Sequence, residues 1–585
     1  MTLLKKLFLI GSVLLPFSSF IFGSTFLNEN VFIKKIGIEI FIGFFSMFFF
    51  SILLFKNKYF VLILNVVDFV IIFLLVLYSY FYIFLGHNPI MHNFPFYCIV
   101  LYFVLKFAFQ NLCDNHIKLL NDVSIIILQI VFIIHIIIVF FQIMGVCPNF
   151  HEYFNYGSTF GNPDMLGSYI AVLLPFCLVK KDYFVKIRYF VVFIAILLLV
   201  LIQARSSILG LLLCGLLWLL LNRFFSLKQI AILSLLFFGL LIILILWHPE
   251  SVYGRFFIWY ISLKMILDKP LGWGLYSFEK SYPEYQASFL SNHKNLPEVF
   301  SPDVVHSPFN EFLNFGVSLG LIGLILLIIL VVIVLYYTIK SKSQLIYPLF
   351  IFCIISLFYF PFKITPLVVL IIPIVTIISD GSKIIYQKKF SLIPCKFFLI
   401  FMSVFSFFLA VMSISHLNYY KKWQKAYLYS MDKDKLKEAE IIFSEIYPIF
   451  QKDGRYLITY SNLKYLQGDQ KQALKLLEEA ELYFCDISMS LRLAKYYEKM
   501  DLIEKAKKKF DLAINIAPDK FTVPYEKILF LINIGEYNNA YTESLRLINK
   551  PIKETNYADP YIIKSKLKQI IAEYEKNMII NVNGI

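Results

Sequence analysis

The chain has 585 residues, of which 59% are hydrophobic and 18% aromatic, and a mean hydropathy of +0.73, values that exclude an ordinary soluble globular protein. The formal charge of +15 would suit nucleic acid, but most basic residues before position 400 lie in short connections between apolar runs, which points to membrane topology and to no nucleic-acid partner. Eight scattered cysteines without a CxxC imply neither a zinc site nor a disulfide framework.

In chain order, Lys5 and Lys6 precede an apolar stretch that lacks a clear small-x-small cleavage signal, so 7–23 is expected to be a retained first helix. Further spans are expected at 36–55, 59–85, 95–111, 122–145, 163–179, 187–203, 207–222, 229–247, 311–338, 345–361, 366–380 and 397–415, about 12–13 in all given roughly 20 residues per crossing. The expected fold is an all-α polytopic membrane bundle over 1–415, followed by a soluble helical domain over 420–585, where Lys, Glu, Tyr and Ala replace Phe, Ile and Leu.

The connections alternate in charge. Lys56/Lys58, Lys118, the 180–188 cluster, Arg223/Lys228, Lys340/Lys342 and Lys383–Lys396 fall on one side with Lys5/Lys6. Among the short connections, the other side holds little: Lys34/Lys35, Arg205 and Lys363. The positive-inside rule places the first side in the cytoplasm and puts the long 248–310 loop and the C-terminal domain outside.

Three polar stretches are then expected on the outer side. In STFGNPDMLGSY, Asn162-Pro163-Asp164 reads as a turn and helix start, or as a wall of a binding site. In QARSSILG, Arg205 sits at a depth where a guanidinium needs an anionic partner, either a substrate or a structural carboxylate or headgroup. In VYGRFFIWYISLKMILDKPLGWGLYSF, apolar positions 256, 257, 260, 263, 266 and 267 have helical spacing, which suggests an amphipathic helix in the membrane interface carrying Arg255 and Lys264 and broken by Pro270 and Gly272-x-Gly274. His306 and Asn310 close this loop, just before Glu311 and the next apolar run.

Taken in order over about residues 150–335, TFGNPDMLGSY, ARSSILGLLL, GRFFIWYISLKMILDKPLGWGLYSF and HSPFNEFLNFGVSLGLIG resemble the O-antigen ligase and polymerase superfamily of bacterial envelope glycosyltransferases, protein O-oligosaccharyltransferases included. The resemblance implies a GT-C-like bundle in the bacterial inner membrane. It implies transfer of a glycan from an undecaprenyl-pyrophosphate carrier to a lipid A core, polysaccharide or protein acceptor on the periplasmic face, with no metal and no cofactor. Relatives commonly carry His-Asn before Glu-x-Leu; here Phe309 stands in the histidine position and the histidine lies three residues earlier, at His306. For that chemistry Arg205 and Arg255 suit the diphosphate, because guanidinium binds phosphate in a bidentate fork, and Lys264 is a weaker candidate. His306 suits an acceptor-side base. Glu311 is an orienter or alternative base, Asn310 an orienter, and Asn162 and Asp164 line the acceptor side.

In the C-terminal region Ala439, Ala473, Ala506 and Ala540 recur at intervals of 34, 33 and 34 residues. This resembles tetratricopeptide repeats, with Ala494, Tyr497, Ala506, Phe510, Ala513 and Pro518 the best-matching set, and implies a protein partner rather than catalysis. Two other functions compete: a polysaccharide transporter or flippase, for which Asp68 and Lys106 would be pathway residues rather than the structural ion pair that we prefer, and a non-catalytic assembly platform.

Overall fold

The computed structural model describes residues 31–54, 59–84, 94–112, 117–147, 156–178, 185–222, 249–293, 305–552 and 559–583, with a few positions between 228 and 239. The expected span at 7–23 and most of that at 229–247 lie outside the described residues. The chain divides into two compact units.

The first unit comprises 1–246, 269–275 and 309–424. Its helices are α1 (Val31–Leu54), α2 (Val66–Phe84), α3 (Phe94–Leu112), α4 (Ile117–Ile143), α5 (Pro163–Leu178), α6 (Val185–Leu201), α7 (Arg205–Asn222), α10 (Glu311–Lys340), α11 (Ile346–Phe358), α12 (Thr365–Asp380) and most of α13 (Leu392–Ser430). Among the described residues seven helices are long and apolar enough to cross a membrane, and four shorter apolar helices accompany them. This is the polytopic all-α bundle that the hydropathy implied.

One expected span is corrected. Residues 59–85 divide into a strand, β1 (Tyr59–Asn65), and helix α2; β1 pairs antiparallel with β2 (Ile384–Ser391), from Tyr59 opposite Ser391 to Asn65 opposite Ile384. YFVLILN is a short β-branched and aromatic run, and period alone does not separate such a run from a buried helix. Two side-chain amides stand in for a third strand beside β1. Asn111 accepts from Val61 N–H (2.8 Å) and donates to Val61 C=O (3.1 Å), while Gln110 accepts from Ile63 N–H (3.2 Å) and donates to Ile63 C=O (2.9 Å). The strand's backbone groups are thus paired and present no open edge on that side.

At the start of α2, buried Asp68 accepts from Lys106, from Tyr102 (2.5 Å), from Ser379 (3.1 Å) and from Asn65 N–H (2.5 Å). Lys106 also donates to Asn65 Oδ1 and Ser379 Oγ, each at 3.0 Å. Both charges are fully buried and fully hydrogen-bonded, the condition under which a buried pair is tolerated.

The second unit comprises 247–268, 276–308 and 425–585. It contains α8 (Pro249–Asp268) and α9 (Phe278–Asn292) from the long loop, and the helices α14 (Leu436–Phe450), α15 (Gly454–Leu466), α16 (Gln470–Glu481), α17 (Ile487–Lys499), α18 (Ile503–Ile516), α19 (Thr522–Asn533), α20 (Tyr537–Asn549) and α21 (Asp559–Asn583). The four alanines at the repeat interval are all buried, which lets successive helices approach closely. Ala287 of the loop, Cys485 and Ile516 share a buried core.

Candidate functional site

In the first unit, several expected residues come to one end of the bundle. Asn162 caps α5: its side-chain oxygen accepts from Asp164 N–H (2.9 Å) and Met165 N–H (3.4 Å), with Pro163 at the first helical position. The loop before it is pinned from α4. Gln142 accepts from Gly157 N–H (3.1 Å) and Ser158 N–H (2.8 Å), and buried His135 shares a hydrogen bond with Ser158 Oγ (2.9 Å).

Arg205 begins α7 straight after a tight turn. Gln203 sits at φ 54°, Ala204 N–H donates to Leu199 C=O (3.2 Å) and Gln203 N–H to Val200 C=O (3.1 Å), so the end of α6 is closed by a left-handed cap built on a residue other than glycine. Ala204 abuts Gly167 of α5, where an added Cβ would stand 2.4 Å from the alanine Cβ. Further along α7, Gly210 faces Ile351 and Cys214 Sγ donates to Tyr347 C=O (3.8 Å). α7 and α11 are therefore antiparallel, and Arg205 lies level with the end of α11, which the turn Pro361–Lys363 follows.

Glu311 reaches that same turn. It is fully buried; one oxygen accepts from Phe362 N–H (2.9 Å) and the other from Asn314 (3.2 Å). Asn310 caps α10 by accepting from Leu313 N–H (3.1 Å). Phe309, at φ 51°, packs its ring 5.6 Å from Phe360 against the apolar core. The side chain in the histidine position of the resemblance thus serves packing. Lys363, which the sequence placed on this side without a role, lies in electrostatic range of both Glu311 and Lys35.

In the second unit, α8 presents Phe256, Tyr260, Leu263 and Leu267 as an exposed apolar stripe and buries Phe257, Ile258, Ile261, Met265 and Ile266. Lys264 is exposed beside the stripe and Arg255 is half-buried. Trp259, one turn after Arg255, donates its indole N–H to Pro308 C=O (3.0 Å), which fastens the segment carrying His306 to α8. His306 is exposed, with Nδ1 3.8 Å from Glu279 Oε1; the other Glu279 oxygen accepts from Arg455 Nη2 (2.9 Å). Sequence reasoning missed Trp259, Glu279 and Arg455. Trp259 is signalled by its helical spacing from Arg255; the Glu279–Arg455 pair spans 176 residues and has no local signal.

Arg205, Asn310 and Glu311 are thus set at helix starts in the first unit, and Arg255 and Lys264 stand within α8 in the second. Residues 190–328 match the family model described as O-antigen ligase. The match supports a multi-pass membrane protein of the glycan ligase or transferase kind. It covers Arg205, Arg255, Lys264, His306, Asn310 and Glu311, and it ends before the C-terminal helices. No curated protein matches the chain.

Proposed function

We propose that the protein is a glycosyltransferase of the bacterial inner membrane. It moves a glycan from an undecaprenyl-pyrophosphate carrier to a hydroxyl of lipid A core, growing polysaccharide or protein on the periplasmic face. The acceptor oxygen bonds to the anomeric carbon as the bond from that carbon to the diphosphate oxygen breaks. The leaving lipid diphosphate keeps the electron pair, and the acceptor proton passes to His306. Charge grows on the diphosphate as the bond breaks, and stabilising such charge is often the largest catalytic contribution. Arg205 and Arg255 take that role, with Lys264 assisting at the interface.

Asn310 and Glu311 set the start of α10. Since Glu311 spends both oxygens on Phe362 N–H and Asn314, its role is to orient rather than to act as base. Asn162 and Asp164 shape the acceptor side. The exposed stripe on α8 lies in the headgroup region with Arg255 and Lys264 beside it. The C-terminal helices, as tetratricopeptide-like repeats, bind a protein partner.

The observation that carries this reading is the O-antigen ligase match over 190–328 together with Arg205 and Glu311 at one end of the bundle. The transporter reading is disfavoured because its charged pair, Asp68–Lys106, is saturated with hydrogen bonds. Deleting the gene tests the proposal: one envelope or protein glycan should disappear while undecaprenyl-linked glycan accumulates. An unchanged glycan profile with no accumulated carrier would reject it.

A further inference from the structure

The long loop is held by the C-terminal helices at four separate points. Arg455, at the start of α15, donates to Glu279 Oε2 (2.9 Å) while its guanidinium lies over the Phe484 ring. Cys485 N–H donates to Glu279 C=O (3.3 Å). Gln286, buried in the middle of α9, donates to Ile516 C=O (2.6 Å), one of the carbonyls that the end of α18 leaves without a helical partner. Ala287 enters the same core as Cys485 and Ile516. A helix from the loop thus occupies the repeats in the manner of a bound peptide.

The Glu279 carboxylate faces two ways: one oxygen meets Arg455 and the other faces His306 Nδ1 at 3.8 Å. The Arg455–Glu279 pair is half-exposed, and an ion pair so placed contributes little to stability. Its geometric effect is larger. Without the guanidinium the Glu279 carboxylate loses a partner that fixes its orientation toward His306, which stands on the segment that Trp259 fastens through Pro308.

We propose that Arg455 is a positioning residue for His306, acting through Glu279, and that the C-terminal repeats take the chain's own loop helix α9 as an internal ligand. The repeats thereby join the catalytic apparatus instead of serving only as a platform for other proteins. This rests on the reading of the chain as a glycan transferase with His306 as acceptor-side base.

The test uses full-length protein in membranes of a strain lacking the chromosomal copy, so that the native acceptor is present. Consumption of isolated undecaprenyl-diphosphate-linked oligosaccharide is followed at varied donor concentration. Arg455→Ala and Glu279→Gln should each lower turnover about tenfold or more at unchanged donor KM and unchanged melting temperature, because small displacements of a reacting group are costly. Arg455→Lys, which restores a donor, should recover part of the loss. In a His306→Ala background Arg455→Ala should add nothing, since both act through one group. Normal turnover in Arg455→Ala, or a further multiplicative loss in the His306→Ala background, would overturn the proposal. A separate measurement reads docking without chemistry: the double variant Glu279→Cys, Arg455→Cys should bridge with a short bismaleimide, detected as a linked peptide pair. Absence of the bridge would overturn the internal-ligand arrangement. Bridging in the double-cysteine variant together with wild-type membranes that consume no donor would instead overturn the transferase reading, and the assignment of Arg455 with it.

Discussion

Gly272 and Gly320 meet backbone to backbone. A Cβ built on Gly320 would stand 2.4 Å from Pro270 C=O, and one built on Gly272 would stand 2.6 Å from Gly320 N. Gly320, at φ 72°, interrupts α10, and the segment 269–275 takes over the hydrogen bonds that the break releases. Trp273 N–H donates to Val317 C=O (2.8 Å), Gly274 N–H to Ser318 C=O (3.1 Å), and Leu321 N–H to Pro270 C=O (2.8 Å). A helix broken at membrane depth is tolerated where protein satisfies the freed groups in this way.

Gly320→Ala should therefore be costly on two counts. The left-handed backbone costs about 1–2 kcal/mol for a residue with a side chain, and the methyl group collides with backbone that has no rotamer to change. The expected result is a lower melting temperature in detergent and new protease cleavage within 269–275. Gly215→Ala in α7, whose added methyl meets nothing within 4 Å, should cost less. Equal behaviour of the two variants would contradict this view of the junction.

Asp68→Ala and Lys106→Ala should each reduce folded protein strongly, by about 3–5 kcal/mol, because each leaves an uncompensated buried charge. The double change should cost less than the sum. Detergent-resistant folded fraction measures all three. Additive losses would show that the two charges do not act as a pair.

Glu311→Gln keeps an oxygen for Phe362 N–H and presents an N–H donor that Asn314 can meet by turning its amide, whereas Glu311→Ala abandons both. The alanine variant should lose about 1–3 kcal/mol of stability, and the glutamine variant should retain most of its stability and its transfer. Loss of transfer in a normally folded Glu311→Gln protein would instead make this carboxylate the base.

Asp453 caps α15 through Arg455 N–H (2.9 Å) and Tyr456 N–H (3.1 Å) while buried. Burial raises its carboxyl above the ordinary range, with the backbone hydrogen bonds and Arg455 opposing the shift. A folded-state value above the unfolded one means that the native state binds the proton more tightly. That stabilisation is complete below the unfolded value, about 3.9, and fades as pH rises through the folded value. Asp453→Asn keeps an acceptor for the cap and has no charge to bury. It should melt above the parent near pH 7, and the gap should close toward pH 4. A gap that does not change with pH would refute the assignment.

The sequence carried the apolar spans, the Asn162–Pro163 cap, the break at Pro270 and Gly272, and the buried alanines at the repeat interval, because each is written in neighbouring residues. The sequence does not reveal β1, since a short run such as YFVLILN, apolar up to Asn65, has the same signature in a strand as in a helix. The partners of Glu311, Gly320 and Glu279 were not legible, because they are backbone or side-chain groups brought close only by tertiary packing. Phe309 shows the reverse: the sequence displayed it as a missing histidine, and the structure gives its ring a place in the core.

The central claim is that Arg205 and Arg255 bind the diphosphate whose departure drives transfer. It is tested most directly by turnover of isolated undecaprenyl-diphosphate-linked oligosaccharide with purified protein and its membrane acceptor fraction. Arg205→Ala and Arg255→Ala should each insert normally into membranes. Each loses a charge-assisted contact of about 1.5–3 kcal/mol, which is roughly a tenfold to 150-fold fall in rate. Arg→Lys at either position should recover only part of this, since the charge returns without the fork. Near-normal turnover in both alanine variants would contradict the account and move the reacting centre away from these two residues.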